Sequence, residues 1–139
     1  MQYDRTVEVQ ATPAEVWAVL TDVEAWPQWT ASMEEIRRLD SGPLALGSRA
    51  RVKQPRFPAS NWVVTGLDPE RSFSWTSKSG GVTTVADHEI TPTADGVSVR
   101  LAISQSGLMA RVIELAFGST VRRYVDAEAN GLKQRSEGS

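Results

Sequence analysis

One histidine is the residue of this chain best suited to acid–base chemistry. His88 is the only histidine among 139 residues, and cysteine is absent. This composition excludes thiol nucleophiles, disulfides, iron–sulfur clusters and zinc sites built from cysteines or from several histidines. We therefore predict no metal and no cofactor, and His88 is the candidate general acid or base.

The residues next to His88 limit the partners that it can have. The segment Val85-Ala-Asp-His-Glu-Ile90 has the pattern of a strand, so His88 lies on the face opposite to Asp87 and Glu89. In a regular strand these two carboxylates cannot pair with the imidazole. Two interpretations remain open. His88 either binds a ligand oxygen or acts as a general base in an aldol-type ring closure, or it is a structural histidine hydrogen-bonded near the rim of a cavity.

The elements that position these residues follow from hydrophobic periodicity. An N-terminal strand through Tyr3, Val7 and Val9 precedes a short helix with the capping-box sequence Thr12-Pro-Ala-Glu15 and a second helical segment at 22–27. Beyond Gly107, apolar residues at helical spacing predict one long helix from 108 to about 135. Between them, alternating runs predict strands near 33–39, 47–54, 60–67, 71–77, 82–91 and 96–104.

This order predicts an α+β fold formed by a single domain over residues 1–139. A curved seven-stranded antiparallel sheet must cover its apolar face, and only the C-terminal helix is long enough to do so. A curved sheet that grips a helix leaves a hollow, which is a common site for small molecules.

Strand parity predicts which residues line that hollow. Gln54 and Thr84 would be polar groups that either orient a ligand or form hydrogen bonds with the surrounding protein. The C-terminal helix would close the cavity like a lid. The predicted wall consists of Val7, Val9, Val52, Gln54, Trp62, Val64, Phe73, Trp75, Thr84, His88, Leu101 and Ile103, and the predicted lid of Leu108, Val112 and Leu115.

Arginine and tryptophan residues add further candidates. Arg5 shares the parity of Val7, so it either points inward toward an anionic group or extends to water at the strand end. Five of the ten aromatic residues are tryptophan. Trp17 is expected in the core. The other four, Trp26, Trp29, Trp62 and Trp75, either fill the core or line the cavity or its mouth, and Trp62 and Trp75 are the favoured candidates for ligand contact.

The charge balance bears on partners. With 15 basic and 17 acidic side chains, the net charge is −2, so the protein as a whole does not attract nucleic-acid phosphates or anionic lipid. The N-terminus lacks the pattern of an export signal. The sequence predicts a cytoplasmic protein, monomeric or homodimeric, with no nucleic-acid partner and no integral membrane association.

Several motifs together resemble a known family, the polyketide cyclase/dehydrase and lipid-transport branch of the START-like (SRPBCC) superfamily. The resemblance covers essentially the whole chain. The motifs are VEVQATPAEVWAVLTD at 7–22, Trp26-Pro-Gln-Trp29, Gly47-Ser-Arg49, LDPERSFSW at 67–75, His88-Glu-Ile-Thr-Pro92 and EANGLK at 128–133.

The resemblance implies a helix-grip fold around a deep hydrophobic cavity that holds lipids, polyketides, quinones or other apolar molecules. Our first hypothesis is therefore binding of a hydrophobic small molecule between the sheet and the C-terminal helix. The alternative is a polyketide cyclase or dehydratase with His88 as general acid or base and Arg5, Gln54 or Thr84 binding substrate oxygens. A third hypothesis is a protein-interaction regulator that acts through the outer face of the sheet.

Overall fold

Residues 1–138 of the computed structural model fold into one sheet and a long helix, in the predicted order. The hydrophobic core lies between them. The elements are β1 (Gln2–Val9), α1 (Pro13–Thr21), a 3-10 helix (Val23–Gln28), β2 (Glu35–Arg38), β3 (Arg49–Lys53), β4 (Ser60–Asp68), β5 (Ser72–Ser79), β6 (Val82–Pro92), β7 (Val97–Ser106) and α2 (Ala110–Glu137).

The sheet is antiparallel throughout, with the strand order β1-β7-β6-β5-β4-β3-β2. β1 pairs with β7 so that Val7 lies opposite Val99 and Val9 opposite Val97, and all four are buried. α2 packs against β1, β7 and α1. The predicted helix-grip architecture is thus confirmed.

The segment after β1 begins a helix as its sequence predicts. The Thr12 hydroxyl accepts the N–H of Glu15 at 3.1 Å, and the Glu15 carboxylate accepts the N–H of Thr12 at 2.9 Å. The backbone N–H of Thr12, and then the Thr12 hydroxyl beside the carboxylate, favour its charged form and lower the pKa of Glu15. The reciprocal capping box fixes where α1 starts.

The 3-10 helix carries Trp26 onto the concave face of the sheet. Its side chain is fully buried, and its indole N–H donates to the carbonyl of Leu20 at 3.1 Å. The ring lies 6.3 Å from Phe73 and 5.4 Å from Trp75, measured between centroids. Trp26 therefore packs over Phe73 and Trp75 on the concave face, and it also lines the cavity described below.

The N-terminal half of α2 has the opposite rotation to the one predicted. Leu108, Val112 and Leu115, predicted to form the lid, are 99%, 50% and 80% exposed. Val112 is nine positions before the buried Val121, which is about two and a half turns, so the two residues lie on opposite sides of a helix. The three predicted lid residues form one stripe at the start of the helix, and that stripe faces solvent instead of the cavity.

The inward stripe of α2 begins instead at Ile113 and continues through Val121 and Val125. No helix within residues 1–138 has the length and apolarity to cross a membrane.

Acid sensitivity is predicted for the loop between β2 and β3. The Asp40 carboxylate accepts the backbone N–H of Arg49 and the guanidinium of Arg38, both at 2.8 Å. These two contacts, the backbone bond first, lower the pKa of Asp40 below its ordinary value of 3.8. A depressed carboxyl pKa stabilises the folded state above the unfolded pKa, and that stabilisation is lost as pH falls through the folded pKa.

Asp40→Asn should therefore melt below the wild-type chain near neutral pH, and the difference should close at pH values below 3.8. Thermal melts over a pH series measure this gap. A gap that stays constant down to low pH would show that the carboxylate charge is not its cause.

Candidate functional site

A cavity lies between α2 and strands β3 to β7. Its volume is about 270 Å³, close to the lower end of the roughly 300–1,000 Å³ of small-molecule sites. Most of its wall is apolar, and Gln54, Thr84, His88, Gln105 and Glu128 provide its larger polar side chains. Its other lining residues are Trp26, Met33, Val52, Phe57, Pro58, Ser60, Trp62, Trp75, Ser77, Ser79, Gly80, Val82, Ala86, Ile103, Ile113, Val121, Tyr124 and Val125.

The mouth of the cavity is marked by the lining residues that reach solvent. These are Pro58 in the β3–β4 loop, and Ser79 and Gly80 at the β5–β6 turn. The start of α2 forms a third side of the mouth, because Ile113 lines the cavity and the N–H of Met109 donates to the carbonyl of Gly81 at 3.1 Å.

His88 lies in the closed part of the cavity and is 2% exposed. Its ring stacks on Phe73 with a centroid distance of 4.2 Å and an interplanar angle of 13°. Its Nδ1 is 2.9 Å from the carbonyl oxygen of Phe73. Its Nε2 is 3.3 Å from Oε1 of Glu128, which α2 carries across the cavity. The imidazole is therefore held on three sides.

These contacts determine where the protons of the pair can be. A carbonyl oxygen only accepts, so Nδ1 of His88 carries a proton and donates to Phe73. The other ring nitrogen, Nε2, faces Oε1 of Glu128 at 3.3 Å. An imidazole and a carboxylate in contact beside a cavity are groups that general acid–base catalysis uses.

Aromatic rings form the wall next to this pair. The Trp62 and Trp75 centroids are 5.6 Å apart, and Trp75 lies 6.4 Å from His88. The indole N–H of Trp62 is already bonded to the hydroxyl of Ser60 at 3.2 Å. These rings present flat apolar surfaces on which a planar ligand can stack.

Gln105 provides an unpaired polar group in the wall. Its Oε1 is buried and has no hydrogen-bond partner among the described residues. An unpaired buried acceptor costs free energy until a donor reaches it.

The structure brings seven of the predicted wall residues into the cavity and places the others elsewhere. The five that do not line it, Val7, Val9, Val64, Phe73 and Leu101, belong to the close-packed core. Trp29 packs partly buried against Trp26, with centroids 5.5 Å apart. The predicted residues that do line the cavity are Val52, Gln54, Trp62, Trp75, Thr84, His88 and Ile103.

Arg5 does not reach the cavity. It lies toward α2, as its parity predicts, but β1 is an edge strand on which α2 packs directly. Its guanidinium forms an ion pair with Asp126 at 3.3 Å and is 42% exposed. Tyr3 donates to the same carboxylate at 2.7 Å, a bond that raises the pKa of the Tyr3 hydroxyl. Arg5 is thus a half-exposed partner of α2.

Glu128 is the site residue that sequence reasoning missed. It follows Val121 by seven residues and Val125 by three, which is the spacing of one buried helix stripe. A carboxylate on such a stripe is the signal that could have identified it. The missing information was the rotation of α2, which was assigned from Leu108, Val112 and Leu115.

Comparison with known proteins agrees with this geometry. The profile of the family described as "Polyketide cyclase / dehydrase and lipid transport" matches residues 1–137. The chain belongs to this family. No curated protein matches the sequence significantly.

Solved structures with the same fold include an aromatase/cyclase. The Zhui aromatase/cyclase from Streptomyces sp. R1128 is 18% identical with a TM-score of 0.80, over 99% of this chain and 93% of that one. Hypothetical protein jhp0584 from Helicobacter pylori is 15% identical with a TM-score of 0.81, over 97% and 86%. Protein MLL2253 from Mesorhizobium loti is 18% identical with a TM-score of 0.76, over 100% and 98%. At these identities the likeness concerns the fold.

Proposed function

We propose that this polyketide cyclase/dehydrase family member binds a hydrophobic small molecule, such as a lipid or a polyketide-like metabolite, in the cavity between its sheet and α2. The observation that carries the proposal is the cavity of about 270 Å³ with a mostly apolar wall and one ionisable pair in its closed part. Burial of apolar ligand surface against Trp62 and Trp75 supplies the affinity. Oxygen atoms of the ligand are oriented by the few polar groups of the wall.

The size and polarity of the cavity favour a compact ligand. An apolar body would stack on the tryptophans, and an oxygen-bearing end would approach Glu128 and Nε2 of His88. The ligand is thus expected to be apolar along most of its length and oxygenated at the end that approaches this pair.

A pair of neighbouring threonines tests the binding proposal. Thr84 lines the cavity and Thr83 does not, although both lie in β6. Thr84→Phe places a ring in the cavity, so affinity for a bound apolar ligand should fall at least about tenfold, which corresponds to about 1.4 kcal/mol. Thr83→Phe projects from the other face and should leave affinity unchanged.

The measurement is native mass spectrometry of protein purified without denaturation, followed by titration of tryptophan fluorescence with a panel of lipids and polyketide-like aromatics. Absence of a retained molecule together with unchanged fluorescence across the panel would refute the proposal. Equal loss of affinity in both variants would place the ligand outside this cavity.

A cyclase or dehydratase is the second candidate, and the His88/Glu128 contact favours it. With Nε2 unprotonated, His88 can take a proton from the carbon beside a ketone. The resulting enolate attacks a second carbonyl, a carbon–carbon bond forms, and the proton returns to the new alkoxide. Removal of a further α-proton and protonation of the leaving hydroxyl then releases water. Glu128 orients the imidazole and stabilises its protonated form.

A further inference from the structure

Exposed apolar side chains surround the mouth of the cavity. Leu108 and Met109 precede α2, and Met109 packs over the β5–β6 turn, because a Cβ at Gly81 would lie 2.8 Å from its Cγ. Val112 and Leu115 continue the same exposed face along α2. We name Leu108, Met109, Val112 and Leu115 the mouth ridge. Four neighbouring exposed apolar residues are unusual on a chain whose apolar side chains are otherwise mostly buried.

The charges at the mouth differ in sign from the rest of the protein. The three segments that frame it, 54–59, 78–82 and 107–113, contain Arg56, Lys78 and Arg111 and no acidic residue. All three basic residues are exposed. The nearby Glu114 lies on the β1 side of α2, where its carboxylate is 3.8 Å from the N-terminal amine. A chain of net charge −2 is thus locally basic where its cavity opens.

We propose that the mouth ridge docks on lipid surfaces that contain anionic lipid. Leucine, methionine and valine side chains bordered by arginine and lysine are typical of elements that lie in the membrane interface. Basic residues strengthen such binding through the negative surface potential of anionic lipid. Docking in this orientation would open the cavity toward the bilayer, where apolar ligands dissolve.

Charge argues against a second copy of the chain as the occupant of this surface. A two-fold interface brings the same patch of each subunit together. It would set Arg56, Lys78 and Arg111 against their own copies, and like charges oppose such an interface. The docking itself does not depend on a ligand, whereas its use in ligand exchange rests on the proposed function.

Vesicle sedimentation tests the docking. The full-length chain should sediment with vesicles of phosphatidylcholine and phosphatidylserine, much less with phosphatidylcholine alone, and less as salt is raised. The double variant Leu108→Gln and Leu115→Gln should bind at least about tenfold more weakly. Lys78→Gln and Arg111→Gln should each weaken binding about fivefold.

Two matched controls lie outside the mouth segments. Leu46→Gln changes another leucine, which is 68% exposed, and Arg51→Gln removes an exposed charge from β3, beside the inward-facing Val52. Both should sediment as the wild-type chain does. Because every changed side chain is exposed, thermal melts should show that all variants remain folded.

Three results would overturn the docking. The wild-type chain could stay in solution with anionic vesicles, or the double leucine variant could bind them as well as the wild-type chain does. In the third, light scattering would show a dimer that the leucine changes convert to a monomer, which would assign the ridge to a second copy. Loss of docking with intact fluorescence response to ligand refutes only the docking, and intact docking without any ligand response refutes only the proposed function.

Discussion

We expect Gly131→Ala to destabilise the folded chain, and Gly118→Ala in the same helix not to do so. A Cβ at this position would lie 2.0 Å from the carbonyl oxygen of Trp29 and 3.0 Å from its ring. Neither the helix backbone nor the Trp29 carbonyl can move aside alone, so α2 must shift away from the 3-10 helix segment. Overpacking of this kind costs about 1–3 kcal/mol, and more where backbone must move.

Helix propensity acts in the opposite direction, because alanine favours a helix over glycine by about 1 kcal/mol. A net loss of about 2 kcal/mol corresponds to a melting temperature about 8 °C lower for a chain of this size. Thermal and denaturant unfolding measure the effect. A variant as stable as the wild-type chain would show that α2 does not pack this closely on Trp29.

Gly118→Ala is the matched control in the same helix. The nearest atoms to a Cβ there would be Nη1 of Arg122 at 3.4 Å, Cγ of Glu114 at 3.6 Å and Nη2 of Arg122 at 3.8 Å, and all three belong to flexible side chains. Helix propensity should then dominate and raise stability by up to about 1 kcal/mol. The two substitutions are identical in chemistry and should have opposite signs.

Local chemistry made the fold predictable from the sequence. The Thr12 and Glu15 capping box, the alternation around His88 and the change of period after Gly107 each depend on residues close together in the chain. Strand parity then placed Val52, Trp62 and Trp75 on the concave side. An antiparallel meander leaves few other arrangements for elements in this order.

The site was less predictable because it depends on two long-range features, the packing of Trp26 on the sheet and the rotation of α2. Parity distinguishes the two faces of a sheet, but it does not show that Trp26 covers Phe73 and leaves Trp75 beside open space. The rotation of α2 depends on packing against β1 and β7, so the sequence left two apolar stripes to choose from. Glu128 could not be paired with His88 until that choice was made.

Replacement of Glu128 by glutamine is expected to separate binding from chemistry. The glutamine amide can donate to Nε2 of His88, so the imidazole keeps its orientation and its bond to Phe73. The carboxylate, which could accept a proton or carry a negative charge, is lost. Ligand affinity should stay within about threefold, whereas any ring-closing or dehydrating turnover by the wild-type chain should fall about 10²–10⁴-fold, the usual contribution of general acid–base catalysis.

The comparison variant is Glu128→Leu, which leaves Nε2 of His88 buried without a partner. It should cost about 1–3 kcal/mol of stability, and the glutamine variant should not. Fluorescence titration, turnover of a short poly-β-ketone and thermal melts on the same preparations distinguish these effects. If Glu128→Gln keeps full turnover, the Glu128 carboxylate takes no part in the reaction. If affinity and turnover fall together, Glu128 acts by binding the ligand, and the catalytic role assigned to the pair is wrong.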